Sequence, residues 1–210
     1  MLSSSRDMKF EAKGLAKSFA GPPIFRDVSL SAESGLVAVT GRNGSGKSTL
    51  LKIFAGLMRP SRGSVDIWSD GRRLGEGERG DAIGWASPEL EFIDELTAAE
   101  NLSLLSRAAG RPKTSGAIAG LLDAFGLARA AHDRRVGEFS SGMKQRVRLA
   151  FSLLLEPPVL LWDEPYSNLD QQGIDAARAL MHGRRETGVV ILATNDRRDI
   201  EDADDEVSLS

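Results

Sequence analysis

Continuous apolar runs alternate with apolar residues at helical spacing along most of this chain. The runs GLVAVT (35–40), PVLLWDEP (158–165) and VVILATND (189–196) are typical of strands that are buried on both faces. The stretches KSTLLKIFAGLM (47–58) and QQGIDAARALMHGRRETG (171–188) have the apolar spacing of helices. This alternation of strands and helices predicts an α/β core around a mainly parallel sheet.

Two further stretches predict additions to that core. Residues 8–32 contain strand-like runs on either side of a Gly-Pro-Pro turn at 21–23, which predicts an N-terminal antiparallel β subdomain. From Leu96 to Leu127 leucine and alanine recur at helical spacing. This pattern predicts an α-helical subdomain inserted into the core at about residues 96–145.

The remaining segments are less regular. The glycine-rich stretch 64–87 predicts a short hairpin and one more strand. We expect the run at 189–196 to be the final strand, and the acidic stretch 199–206 to be a solvated helix face and loop. Together these patterns predict one domain spanning residues 1–210.

Composition narrows the classes of function. The chain has 210 residues, with 27 basic and 30 acidic side chains and no cysteine. Slight net acidity argues against nucleic acid as a partner. A chain without cysteine has no disulfide, thiolate metal site or thiol nucleophile. The N-terminal sequence MLSSSRDMKF lacks a signal-peptide core, and no apolar run approaches the ~20 residues that span a bilayer. We therefore expect any membrane role to depend on a partner protein.

A phosphate-binding motif follows the first buried strand. The stretch GRNGSGKST fits the pattern G-x-x-x-x-G-K-[ST] at every fixed position. Glycines allow successive amide groups to face phosphates, Lys47 supplies a mobile positive charge, and Ser48 offers a hydroxyl ligand to Mg²⁺. The alternative is a chance glycine turn, but a buried strand before and a helix after favour a P-loop NTPase core. The predicted nucleotide-binding residues are Gly41, Arg42, Asn43, Gly44, Ser45, Gly46, Lys47, Ser48 and Thr49.

A carboxylate pair ends the second buried strand, in VLLWDE. Asp163 suits the Mg²⁺ shell, and Glu164 could polarise a water that attacks the γ-phosphate. The alternative is an ordinary pair of acidic residues at a strand end. With a P-loop upstream, the pair predicts a metal ligand followed by a catalytic base.

The stretch SSGMKQRVRLAFSLLLEPPVLLWDEPYSNLD (140–170) resembles the signature motif, Walker B motif and D-loop of ABC-type ATPases. Its serine-glycine motif lies 23 residues before Asp163 (163 − 140), as the resemblance requires. In that family two ATPase subunits form a homodimer or heterodimer around ATP. By this resemblance Ser140, Ser141 and Gly142 would reach the γ-phosphate bound by the partner subunit. The alternative, that the serines only cap a helix, is compatible with this role.

The same resemblance implies three further site residues, two of which depart from the family pattern. Phe19 stands at the adenine-stacking position, although it could be ordinary core. Pro88 and Glu89 stand where a glutamine is usual, so Glu89 could contact metal or water, or be a solvated loop acid. Asn195 replaces the usual histidine and could donate to a γ-phosphate oxygen, but it cannot take up a proton near neutral pH. We therefore expect intact ATP binding and slow hydrolysis.

The resemblance implies an ATP-binding and ATP-hydrolysing subunit of an ABC transporter. Such a subunit would be cytoplasmic and peripheral at the inner face of the cell membrane, bound to an integral membrane transporter subunit. Phe92, Ile93 and Leu96 would contact that partner, although they could equally be core of the helical subdomain. One alternative is a non-transport ATP switch with slow turnover. A P-loop kinase using Glu164 as its base is a third hypothesis, but it leaves the serine-glycine motif unexplained.

Overall fold

The computed structural model describes residues 8–209 and contains two sheets. The first sheet is antiparallel with strand order β2-β1-β4-β5, formed by β1 (Met8–Lys17), β2 (Phe25–Ala32), β4 (Arg62–Ser69) and β5 (Arg72–Arg73). The second is parallel with order β6-β7-β8-β3-β9, formed by β3 (Gly35–Gly41), β6 (Ile83–Ala86), β7 (Val159–Asp163), β8 (Val189–Thr194) and β9 (Asp205–Leu209). The N-terminal stretch considered for a signal sequence lies mostly outside the described residues.

Within residues 8–209, six α-helices surround these sheets. Helix α1 (Lys47–Phe54) follows β3, and α2 (Glu76–Ala82) precedes β6. Between β6 and β7 lie α3 (Ala98–Ala108), α4 (Ser115–Ala124) and α5 (Ser141–Leu153), where the sequence predicts a helical insertion. Helix α6 (Gln171–Arg185) connects β7 to β8. The predicted fold class, a mixed α/β core with an antiparallel sheet at the N-terminus and inserted helices, is confirmed.

Apolar side chains form two cores on opposite faces of the parallel sheet. One core joins that sheet to the inserted helices, with Phe125 and Trp162 in edge contact at 6.4 Å. The other joins it to α1 and the antiparallel sheet, with Phe10 and Phe54 in edge contact at 5.1 Å. The central strands β7 and β8 are buried at every residue, as their continuous apolar runs predict.

Two local predictions are wrong. Helix α1 ends at Phe54 rather than Met58, because Gly56 takes a left-handed conformation with φ of 76°. The strand at 189–194 is not the last, because residues 205–209, which begin within the acidic stretch, pair with β3 at the sheet edge. The short hairpin and strand predicted for the glycine-rich stretch are present as β4–β5 and β6, but α2 was not predicted. Within residues 8–209, none of the helices is both long and apolar enough to cross a membrane.

Candidate nucleotide-binding site

The loop between β3 and α1 has the geometry of an anion cradle. Gly46 immediately precedes α1 with φ of 99°, and a side chain there would collide with the Ile24 side chain, so this position requires glycine. No acidic residue lies in the first turn of α1. The positive end of the helix dipole and the free amide groups therefore face the loop without a competing carboxylate.

Lys47 lies over this loop. Its side chain is 7% exposed, and its Nζ donates to the carbonyl of Gly41 at 2.9 Å and to that of Arg42 at 3.3 Å. The Oγ of Ser45 is buried and, within residues 8–209, has no hydrogen-bond partner. A mobile ammonium and an unpaired hydroxyl beside free amide groups fit a phosphate. Ser48 and Thr49 continue into the first turn of α1.

Asp163 ends β7 beside Ser48. It is 3% exposed, and burial raises the pKa of its carboxyl, whereas a hydrogen bond with Ser48 and the charge of Lys47 lower it. Its Oδ1 is buried without a hydrogen-bond partner in the described part of the chain. An unpaired carboxylate oxygen next to a hydroxyl is a donor set that suits Mg²⁺.

Glu164 is held in a conformation that is rare for a residue with a side chain, with φ of 46°. Its amide donates to the carbonyl of Ala193 at 2.9 Å, and the Ser167 hydroxyl donates to its carbonyl at 2.8 Å. Its Oε1 lies 3.8 Å from Lys47 Nζ. Burial raises the pKa of the Glu164 carboxyl, Lys47 lowers it, and the charges of Asp163 and Asp199 raise it further.

Asn195, just after β8, borders the phosphate loop. Its Nδ2 donates to Asn43 Oδ1 at 2.9 Å. The two asparagines line an open polar cleft of about 570 Å³ together with Arg42, Asp196 and Arg197. Asn195 therefore lies where the sequence predicted, next to the loop that would hold the phosphates.

Glu89 forms an ion pair that the sequence did not predict. Its two carboxylate oxygens lie 2.7 and 2.8 Å from Lys52 Nζ, although 64% of the Glu89 side chain is exposed. Lys52 stands one turn after Ser48 on α1, and both Lys52 and Glu89 influence the pKa of Asp163. Glu89 thus stands at the edge of the predicted metal site, paired rather than simply solvated.

The serine-glycine motif lies at the start of α5. Ser140 and Ser141 are exposed, and Ser140 Oγ accepts the Met143 N–H at 3.3 Å, so the helix-capping interpretation is correct. Within residues 8–209, no hydrogen bond or ion pair joins residues 140–142 to the phosphate loop. Nothing in the cap geometry prevents the exposed end of α5 from meeting a second anion.

Three aromatic or apolar predictions have different outcomes. Phe19 is 60% exposed with Lys17 Nζ 5.0 Å from its ring centre, so it is not a core residue. Phe92 packs partly buried against Phe151, with ring centres 6.2 Å apart, whereas Ile93 is 45% exposed. Of Phe92 and Ile93, two of the residues predicted to contact a membrane partner, Ile93 is the more exposed.

Sequence reasoning missed two buried polar residues on α5. The sequence analysis predicted burial for neither Gln145 nor Arg146. Gln145 is 1% exposed and Arg146 is 8% exposed. Their partners lie 20 to 24 residues away along the chain, so no local pattern indicated that they are buried.

Comparison with known proteins agrees with this geometry. A family model described as ABC transporter matches residues 25–167, which is 143 of 210 residues (167 − 25 + 1). The chain belongs to the ABC transporter family. The matched residues include the phosphate loop, the start of α5 and the Asp163–Glu164 pair, whereas Phe19 and Asn195 lie outside them.

Individual relatives of this ABC domain include ATP-binding proteins of bacteria. An uncharacterized ABC transporter ATP-binding protein, YxlF of Bacillus subtilis, is 34% identical over 93% of the chain. The lipoprotein-releasing system ATP-binding protein LolD of Oleidesulfovibrio alaskensis is 35% identical over 88% of it. The chain spans 65% of the first relative's length and 85% of the second's.

A solved dimeric ATP-binding cassette in a post-hydrolysis state, bound to ADP and Pi, superposes with a TM-score of 0.84. The superposition covers 96% of this chain and 94% of the solved chain. The sequence identity is 24%, so this similarity shows the fold. The predicted ATP-binding and ATPase activities are confirmed at the level of the family.

Proposed function

We propose that this chain is the ATP-binding and ATP-hydrolysing subunit of an ABC transporter. Two copies, or one copy and a related subunit, would close on ATP and drive a separate integral membrane partner. The observation that carries the proposal is that one chain has a phosphate-loop cradle and, apart from it, an exposed serine-rich helix start. The phosphate loop has the unpaired Ser45 hydroxyl and the buried Lys47, and the start of α5 exposes Ser140 and Ser141.

Each site residue has a role in this proposal. Amide groups of residues 41–46 and the Lys47 ammonium bind the phosphates, and the exposed Phe19 ring stacks on the adenine. Glu164 polarises the attacking water, while Asn195 donates a hydrogen bond to a γ-phosphate oxygen. Residues 140–142 would bind the γ-phosphate held by the other subunit, and Glu89 would contact the edge of the metal site.

The residues present fit Mg²⁺, since Asp163 Oδ1 lacks a hydrogen-bond partner among the described residues and a Ser48 hydroxyl adjoins it. When bound there, Mg²⁺ would neutralise charge on the phosphate oxygens. Asp163 and Ser48 would hold it, and Asp163 is only 3% exposed.

Localisation follows from the proposed partner. A subunit of this kind would be cytoplasmic and peripheral, bound at the inner face of the cell membrane through a transporter subunit. Names of relatives such as the lipoprotein-releasing protein LolD support a membrane partner of this class. Exposed Ile93 and neighbouring residues of the 87–97 loop would contribute to the contact.

The Glu164→Gln variant tests the proposal. We expect ATP binding to persist, turnover to fall by about 10²-fold or more, and a dimer to accumulate in ATP and Mg²⁺. Glu186→Gln makes the same charge change at an exposed position after α6 and should leave turnover and mass unchanged. A Glu164→Gln protein that stays monomeric in saturating ATP would overturn the proposal.

The altered accessory residues favour a second candidate, a non-transport ATP switch with slow turnover. Glu89 forms an ion pair with Lys52, and the Asn195 side chain donates a hydrogen bond to Asn43. Membrane fractions from cells expressing the Glu164→Gln variant distinguish the two candidates. Co-purification with a multi-span membrane protein supports the transporter subunit, whereas an ATP-dependent dimer that stays out of the membrane fraction supports the switch.

A further inference from the structure

The first two turns of α5 form hydrogen bonds and close contacts with the segment that follows β7. Gln145 Nε2 donates to the carbonyl of Pro165 at 2.9 Å in a buried position. One residue on, Arg146 Nη2 lies 2.6 Å from Asp170 Oδ1. Gly142 lies one turn earlier, and a Cβ there would be 2.5 Å from the Asn168 carbonyl oxygen. These three residues share one side of the helix, so α5 meets residues 165–170 along a continuous contact.

Arg146 is enclosed by its surroundings. It is 8% exposed, and its Nη1 donates to the carbonyl of Phe125 at 2.6 Å. A Cβ at Gly173 would lie 2.9 Å from Nη2, and one at Gly126 would collide with Nη1. The guanidinium therefore occupies a slot that two glycines leave open. It joins the end of α4, the start of α5 and the residue that caps α6.

Internal hydrogen bonds restrict the conformation of the segment between Glu164 and Asp170. The Ser167 amide and hydroxyl both donate to the Glu164 carbonyl, at 3.2 and 2.8 Å, and the Leu169 amide donates to the Tyr166 carbonyl at 3.2 Å. At its far end Asp170 Oδ1 also accepts the Gly173 N–H at 2.8 Å. A displacement at Asp170 or Pro165 is therefore transmitted to the backbone of Glu164.

We propose that Gln145 and Arg146 are positioning residues that make Ser140–Gly142 and Glu164 of the same chain parts of one rigid unit. Contact of Ser140–Gly142 with the triphosphate held by a second copy then fixes Glu164 at the chain's own phosphate loop. Each copy would thus sense the nucleotide of the other through these two side chains. This inference rests on the proposed function, since it requires an ATP-bound dimer.

A cooperative dependence of hydrolysis on ATP follows. Occupation of one site would order the catalytic base of the other, so turnover should rise with a Hill coefficient near the limit of about 2 for two sites. Binding of a first nucleotide to the phosphate loop of an isolated chain does not involve this link. Substitutions that remove the Gln145 and Arg146 contacts should therefore leave that first binding step unchanged.

The experiment compares steady-state hydrolysis with equilibrium binding of ATP to dilute, monomeric protein. For Arg146→Met and Gln145→Leu we expect the Hill coefficient to fall to about 1 and kcat to fall on the order of tenfold, with monomer affinity for ATP unchanged. Arg146→Lys keeps the charge, but its single ammonium cannot serve both acceptors as the guanidinium does, so it should restore part of the cooperativity.

The matched control is Arg185→Met. Arg185 on α6 also joins a carbonyl and a carboxylate, those of Asp202 and Asp204 at 2.8 and 2.6 Å, but it does not contact α5. It should leave the Hill coefficient and kcat unchanged. Because burial of Arg146 makes its loss a risk to folding, Asp170→Asn is the second variant. It keeps an oxygen for the Gly173 N–H, removes the ion pair and should also lower the Hill coefficient.

The outcomes separate this inference from the function on which it rests. If the wild type hydrolyses ATP cooperatively and the folded Gln145, Arg146 and Asp170 variants do so equally, the link is wrong and the proposed function stands. If the variants lose monomer affinity for ATP in proportion to kcat, the residues are only structural and the inference also falls. A Glu164→Gln variant that forms no ATP-dependent dimer overturns both.

Discussion

Glu164 and Asn195 lie on neighbouring strand ends, and the Asn195 backbone N–H donates to the Glu164 carboxylate, which lowers the pKa that burial raises. An asparagine at 195 cannot exchange a proton near neutral pH. We expect Asn195→His to raise kcat and to introduce a pH dependence centred near the ordinary histidine pKa of about 6.5. The pH profile of kcat for both proteins measures this. A wild type that is already fast, with an unchanged profile in the variant, would contradict the expectation.

Tyr166 offers a direct titration, because it is the only tyrosine in the chain. Burial raises the pKa of its hydroxyl to about 12. The folded state therefore holds the proton more tightly than the unfolded state, whose pKa is near 10. The protonated Tyr166 hydroxyl therefore contributes about 2–3 kcal/mol to the free energy of unfolding. This contribution is fully present below pH ~10 and is lost as the pH rises to ~12. Tyrosinate absorbance should titrate above pH ~11 while the protein is folded; a midpoint near 10 would contradict this, and Tyr166→Phe should abolish the signal.

At the scale of elements, the start of α3 illustrates how one helix holds the loop before it. Asn101 is 2% exposed, and its side chain accepts the Ile93 N–H at 2.9 Å and donates to the carbonyls of Ile93 and Thr97. Thr97 caps the helix, with its Oγ1 accepting the Glu100 N–H at 3.1 Å. Asn101 forms hydrogen bonds with several partly buried backbone groups, whereas Thr97 bonds one exposed group.

These contacts predict an order of stabilities. Asn101→Ala should lower the free energy of unfolding by about 2 kcal/mol, because it leaves several partly buried backbone groups without partners. Thr97→Ala should lower it by about 1 kcal/mol, the usual effect of losing an N-cap. Urea unfolding measures both. Thr187→Ala removes an exposed hydroxyl that caps no helix start and should change little. Equal losses for Asn101 and Thr97 would argue against this account.

Elements and residues with a local signature were predicted, and those defined by distant partners were not. Strands β3, β7 and β8 are continuous apolar runs, and the phosphate loop is a contiguous motif. Strand β9 is anchored instead by Asp204, whose Oδ2 accepts the Leu36 N–H at 2.7 Å from 168 residues away. Helix α2 contains two glycines and depends on Glu78, which accepts the Gly75 N–H at 2.9 Å. Similarly, Lys52 is significant only because folding brings Glu89 to it.

At the scale of the whole molecule, the phosphate loop and the predicted metal site join elements of the core between the two sheets. The loop follows β3, α1 packs into the core between the two sheets, and Asp163 ends the central strand β7. A ligand that bridges these elements binds the folded state and should stabilise the entire domain. At a concentration of about 100 times Kd the expected gain is about 2.7 kcal/mol. For a domain of this size that gain corresponds to a rise of roughly 5–10 °C in Tm.

Thermal unfolding with MgATP, with ATP in a chelator and without ligand measures this gain. Lys47→Ala should remove most of the rise in Tm in both nucleotide conditions, because the loop loses its cation. Asp163→Asn should remove only the part that depends on Mg²⁺, since it alters the metal ligand and leaves the phosphate loop intact. Lys13→Ala, an exposed lysine on β1 paired with Glu11, should keep the full rise. If Lys47→Ala retained the full rise, ATP would have to bind elsewhere, because no other lysine lies over this loop in residues 8–209.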